Sequence, residues 1–280
     1  MTIGFAKYHG LGNDYLVIEE SDVPDPAWVS GFARRICERH RGVGADGVLL
    51  ARARPPGEPP AVRIVNPDGS FAEKSGNGLR IFARHLWESG AVGRGPFEIR
   101  LDRQAVTAEV LSEGRQVVVD MGRASFDAWE VPVRGMQGPV LRRSLEVGGE
   151  VLEFSAVTVG NPHCVVLGRA TKARACRIGP LLERHSHFPN RTNVQLAEVL
   201  DRSRVRIEIW ERGAGYTLAS GSSSCAVAAV TTRLGLTDPE VEIEMPGGCL
   251  QIVVSDDFSL RMRGPVVKIC SGELAAETLE

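Results

Sequence analysis

KSGNGLRIFARHL (residues 74–86) and ASGSSSCAVAAVTTRL (residues 219–234) carry one device twice: a Ser-Gly turn opening an apolar helix. In the first copy Leu79, Phe82 and Leu86 recur at i, i+3 and i+7, which lays one apolar stripe along a helix. Cys225, Ala228, Ala229 and Thr232 repeat the stripe more weakly in the second. Two further pairs flank them. GLGNDYLVIE (10–19) answers to TVGNPHCVVLG (158–168), each a Gly-Asn turn entering a β-branched strand, and VRIVNPDGS (62–70) answers to VRIEIWERGAG (205–215). The offsets are 148 from Gly12 to Gly160, 143 from Val62 to Val205 and 145 from Ser75 to Ser220. So constant a register over half the chain predicts a duplicated α+β domain: two pseudo-symmetric lobes, each a mixed sheet wrapped around a central helix. Chance similarity of turn-rich segments is the competing reading, since Gly-Asn and Ser-Gly are common turn dipeptides.

Between the copies, VVVDMG (117–122) ends a strand-rich half, and the polar, Gly/Pro-dotted stretch 123–149 is the natural place for a boundary. The expected division is 1–124, completed by 265–280, and 125–264. Asp25-Pro26, a capping residue followed by proline at a first helical position, signals an earlier helix with Trp28, Phe32 and Ile36 on one face. VRIVN and VEIEM alternate as strands.

At 280 residues, 43% hydrophobic and with net charge −2, the composition is that of an ordinary soluble globular chain. No basic stripe or aromatic-basic interleaving points to nucleic acid. No apolar run has the length of a bilayer span, and MTIGFAKYHG does not read as a signal peptide. The six cysteines show no C-x-x-C pair or regular spacing, so neither a zinc site nor a disulfide framework is indicated, and a cytoplasmic setting is expected.

A helix start leaves unpaired N–H groups and a partial positive charge, which suits an anion. Glycine at 76, 78 and 221 lets a ligand approach that backbone. One Ser-Gly mouth is ordinarily an N-cap and nothing more. Two mouths from facing lobes would hold one carboxylate from opposite sides, a geometry suited to removing and returning a proton on the adjoining carbon.

With KYHGLGNDYLVIE, RGVGADGVLL, NPDGSFAEKSGNGLR, VGNPH, RTNVQ and ERGAGYTLASGSSSCA in this order, the chain resembles the diaminopimelate epimerases and their relatives. The resemblance implies two mirrored lobes with the active site in the cleft between them. It also implies no pyridoxal phosphate or metal, a small amino-acid substrate with two carboxylates, a homodimer, and a place in lysine and cell-wall precursor synthesis. By the same resemblance Asn13, Asn66, Asn161 and Asn193 match amide ligands and Glu211 and Arg212 a Glu-Arg pair for the distal amino-acid end. Gly76, Asn77, Gly221 and Ser222 match backbone donors for the carboxylate at the reacting end. Taken singly, each asparagine reads equally as turn chemistry and Glu211-Arg212 as a surface ion pair.

The family's two catalytic cysteines fall at Ser75 and Ser220. A cysteine thiol ionises near about 8.5 and an alcohol near about 15.7, a difference of about 10 kcal/mol. Environments shift such values by about 3–5 units, so neither serine is a free alkoxide. A neighbour that takes the proton removes the difficulty. His163 is the first candidate and His9 the second; Lys74, adjacent to Ser75, points away at a turn. A histidine that packs and hydrogen-bonds is the alternative for each. Ser223, Ser224 and Tyr216 also depart from the family's usual residues, and Gly47 and Pro67 adjoin ligand positions. Three functions remain open: a cofactor-independent epimerase with Ser75, Ser220 and His163 as catalytic groups, a same-fold dehydratase or double-bond isomerase, and an amino-acid-binding protein.

Overall fold

The computed structural model describes residues 3–23, 29–53, 55 and 57–279, so the helix start expected at Asp25-Pro26, with Trp28, lies outside the described residues. Two compact units divide the chain, Met1–Val119 with Gly264–Glu280, and Asp120–Arg263.

In the first unit β1 (Ile3–Gly10) and β2 (Asn13–Glu19) form a hairpin, and α1 (Val29–Cys37) leads to β3 (Val48–Arg52), parallel to β2 with Leu16 opposite Val48. β4 (Ala61–Val65) and β5 (Phe71–Ala72) follow antiparallel. Then come α2 (Gly76–Glu88), β6 (Phe97–Arg100) parallel to β4, β7 (Ala105–Leu111), and β8 (Gln116–Arg123), which leads toward the second unit.

The second unit repeats this order. After β9 (Arg143–Val147), β10 (Glu150–Thr158) and β11 (Pro162–Leu167) pair antiparallel, and α3 (Lys172–Glu183) leads to β12 (Asn193–Asp201), parallel to β11 with His163 opposite Asn193. β13 (Arg204–Glu211), β14 (Gly215–Thr217), α4 (Gly221–Arg233), β15 (Glu240–Met245) parallel to β13, β16 (Gly248–Val254) and β17 (Ser259–Pro265) complete it. The strand beside β10 is β9, whereas its counterpart beside β1 is β18 (Val267–Leu274), supplied by the C-terminus. That pairing is why the last residues belong with the first.

The α+β architecture follows from side-chain size as well as periodicity. α2 buries Leu79, Ile81, Phe82 and Leu86, each contributing about 1.5–3 kcal/mol by leaving water. α4 is buried from Ser223 through Thr231 and touches β10, β11, β12, β15 and β16. Its alanines and serines leave room for strands on every side, so this sheet wraps its helix. Cys225 is fully buried there as a small core residue. Phe32 and Ile36 of α1 pack with Leu16, Ile18, Val48 and Leu50. Among the described residues no helix is long and apolar enough to cross a membrane.

Candidate active site

Ser75 and Ser220 occupy equivalent places, each the extended residue before a buried helix, at φ −137°, ψ 116° and φ −150°, ψ 122°. Their hydroxyls are used differently. Ser75 Oγ accepts from Gly78 N at 3.0 Å and lies 3.2 Å from the Tyr15 hydroxyl. Either hydroxyl can donate in that bond. Ser220 makes no side-chain cap and is itself buried. Burial pushes the nearby Glu211 carboxyl above its ordinary range, with the neighbouring Ser220 hydroxyl acting the other way.

Around Ser75 the amides form one chain. Arg80, fully buried, donates to Asn77 Oδ1 at 2.8 Å, Asn77 Nδ2 to Asn13 Oδ1 at 3.0 Å, and Asn13 Nδ2 to Asp46 Oδ2 at 2.9 Å. Arg39 braces both Asp46 and Asp14. The structure therefore brings Asn13, Gly76 and Asn77 together behind the first mouth. Asn66 closes the turn before β5, donating Nδ2 to Ser70 Oγ at 2.9 Å. His9 Nδ1 accepts from Gly12 N at 3.2 Å, a turn contact.

In the second unit Asn193 is scaffold, with Nδ2 donating to Pro162 O at 2.9 Å and Oδ1 accepting from Arg212 N at 3.0 Å. Arg212 is exposed and its guanidinium reaches only Asn190 O, at 3.2 Å, among the described contacts. No ion pair joins Glu211 to Arg212 among the described residues. Gly221 is buried and Ser222 half-buried at the start of α4, while Ser223 and Ser224 point inward. Ser223 Oγ accepts from Gln195 at 2.9 Å, and Ser224 Oγ donates to Ser220 O at 2.9 Å.

His163, expected to take a proton from serine, has both ring nitrogens engaged with side chains of its own unit. It is fully buried, its Nδ1 accepts from Gln195 Nε2 at 3.0 Å, and its Nε2–H donates to Asn161 Oδ1 at 2.9 Å. Burial pulls its pKa down to about 3 and keeps the ring neutral. With both nitrogens occupied, it holds the Asn161 side-chain oxygen.

Sequence reasoning missed Tyr15, Gln195, Asp46 and Glu183. Glu183, almost fully buried, accepts from Trp210 Nε1 at 2.8 Å and Gly213 N at 3.0 Å, and so fixes the turn that carries Glu211. An acid isolated in an apolar helix face is a signal for such an anchor, because unpaired buried carboxylates are not tolerated.

The sequence profile of the family described as Diaminopimelate epimerase matches residues 5–127 and 155–269. The chain is 47% identical over 274 residues to "Diaminopimelate epimerase 2" of Nostoc sp. strain PCC 7120, covering 98% of this chain and 96% of that protein. It is 38% identical over 280 residues to the diaminopimelate epimerase of Moorella thermoacetica, covering 96% and 98%. A hydroxyproline epimerase structure from Agrobacterium vitis superposes with a TM-score of 0.72 at 15% identity, over 100% of this chain and 92% of that one, and shows the same fold.

Proposed function

This chain belongs to the diaminopimelate epimerase family, and from that premise we propose that it inverts the α-carbon of a diaminopimelate-like amino acid, interconverting LL and meso forms. The observation that carries the reading is the pair of equivalent helix mouths, each headed by a serine in extended conformation before a buried helix.

First-turn N–H groups of Gly76, Asn77, Gly221 and Ser222 receive the carboxylate beside the reacting carbon, where negative charge grows as the proton leaves. Ser75 addresses one face of that carbon and Ser220 the other. Asn161, held by His163, and Arg212, whose exposed guanidinium makes no ion pair among the described residues, bind the distal amino-acid end; Asn13, Asn66 and Asn193 shape the walls. Proton transfer needs no electron sink beyond the carboxylate, so the reaction as read here is cofactor-independent. The step belongs to lysine biosynthesis, and a cytoplasmic homodimer is the assembly we propose.

Incubation of the protein with LL-diaminopimelate, followed by chiral chromatography, tests the reading. Appearance of the meso form above a buffer blank supports it; a constant LL fraction at high enzyme concentration contradicts it. Retention of binding without conversion would favour the amino-acid-binding alternative.

A further inference from the structure

Tyr15 is pinned beside the first helix mouth by the residues on both sides of it. Asp14 O accepts from Asp46 N at 2.8 Å and Leu16 N donates to Gly47 O at 3.1 Å, which ties its neighbours to the segment before β3. Asp14 is itself held by Lys7 at 3.0 Å and Arg39 at 2.8 Å. The buried ring lies against Gly47, where a Cβ would come within 2.6 Å of Tyr15 Cε1, and its hydroxyl ends 3.2 Å from Ser75 Oγ. Ser75 is fixed in turn by the cap from Gly78 N at 3.0 Å. The offset of 148 that relates Gly12 to Gly160 also relates Tyr15 to His163, whose ring nitrogens are taken by Gln195 and Asn161. In the first unit the same position sets an ionisable oxygen against the serine that heads the helix.

An alcohol ionises near about 15.7 and a phenol near about 10, so a negative charge on this pair of oxygens rests far more easily on the phenol. We propose that Tyr15 and Ser75 form a two-oxygen proton relay: as Ser75 gives its hydroxyl proton to the substrate α-carbon, the Tyr15 phenol proton passes to Ser75 Oγ, and a phenolate is left in place of a serine alkoxide. The electron pair of the carbanion forms the new C–H bond. In the reverse direction Ser75 Oγ takes the α-proton while its own passes to the phenolate, and the C–H electron pair stays on the α-carbon and its carboxylate. Water returns the proton to the phenolate before the next turnover in the same direction. This deepens the epimerase reading and rests on it. Tyr15 acts through Ser75, and the Gly78 N–H steadies the oxygen through which both protons move.

The test compares Tyr15→Phe in two backgrounds, the natural chain and Ser75→Cys, by epimerisation rate. A thiol at 75 ionises by itself and has no need of the phenol. The expected result is a kcat loss of about 10²-fold in the natural chain, with KM little changed, and a loss of only a few-fold in the Ser75→Cys background. Equal losses in both backgrounds, or a loss confined to KM, overturn the relay in favour of a packing or ligand role. In the direction in which Ser75 takes the α-proton, kcat of the natural chain should rise with pH above neutrality, because the phenolate is the competent form. Tyr15→Phe should flatten that rise, and Tyr15→3,5-difluorotyrosine, a stronger acid, should move it to lower pH; an unmoved rise overturns the relay. The contact is judged without substrate by the tyrosine C–O stretching band in a Tyr8→Phe, Tyr216→Phe chain, where Tyr15 is the one tyrosine left. Ser75→Ala should shift that band, and an unmoved band overturns the contact. If the natural chain leaves diaminopimelate untouched while the band shifts, it is the epimerase reading that fails.

Discussion

Tyr15 and Ser75 meet hydroxyl to hydroxyl at 3.2 Å, across 60 residues of sequence, at the head of α2. Tyr15→Phe removes that hydroxyl while the buried ring keeps its packing. The expected loss is about 10²-fold in kcat, at the low end for general acid–base partners. Steady-state kinetics on both stereoisomers checks it, with unchanged thermal unfolding as the control. An unaltered kcat would remove Tyr15 from the chemistry.

Gly47 keeps Tyr15 where it is. A Cβ at residue 47 would lie 2.6 Å from Tyr15 Cε1 and 2.8 Å from Val65 O. Backbone cannot yield cheaply, so Gly47→Ala should cost about 1–3 kcal/mol by overpacking and should lower kcat as Tyr15 is displaced. Urea unfolding of the variant reads the first effect. Combining Gly47→Ala with Tyr15→Phe should show that the kcat losses do not add.

His163 makes stability depend on pH. Its folded pKa, about 3, lies below the ordinary 6.5, so the unfolded chain binds the extra proton in between. The contribution is complete above pH 6.5 and falls as the pH drops toward 3. At about 1.4 kcal/mol per pH unit, the change from pH 7 to pH 5 should remove about 2 kcal/mol. His85, also lowered by burial, acts in the same direction. Urea titrations at the two pH values test the total, and the His163 ring signal by NMR should not titrate above pH 4.

The Ser-Gly, Gly-Asn and strand motifs were enough to read an α+β fold, because turn chemistry and apolar periodicity are local. α3 escaped notice: Gly179-Pro180 reads as a break, yet Pro180 lies inside the helix. The glycine is there because a Cβ would come within 2.6 Å of Trp210 Cγ. At the site, Ser75 and Ser220 were legible as helix openings, while Tyr15, the hydroxyl partner of Ser75, was not. Tyr15 lies on β2, which packs against α2. His163 drew notice by its residue type; only the positions of Gln195 and Asn161 show that both its nitrogens are occupied.

Glu183 should matter more for architecture than its place on α3 suggests. Glu183→Ala leaves Trp210 Nε1–H and Gly213 N–H without their acceptor. These donors are only part-buried, so a loss of about 1–2 kcal/mol is expected, accompanied by a fall in kcat as the Glu211 turn loosens. Differential scanning calorimetry and kinetics on one preparation check both. A stable variant with normal kcat would detach Glu183 from the site.

The most direct measurement is uptake of solvent deuterium at the α-carbon of LL- and meso-diaminopimelate in heavy water, followed by mass spectrometry. The natural chain should label both stereoisomers well above a buffer blank, and Ser75→Ala and Ser220→Ala should each abolish epimerisation. Absence of α-deuterium in either isomer with the natural chain, at high enzyme concentration and long incubation, would contradict proton transfer by this pair of hydroxyls.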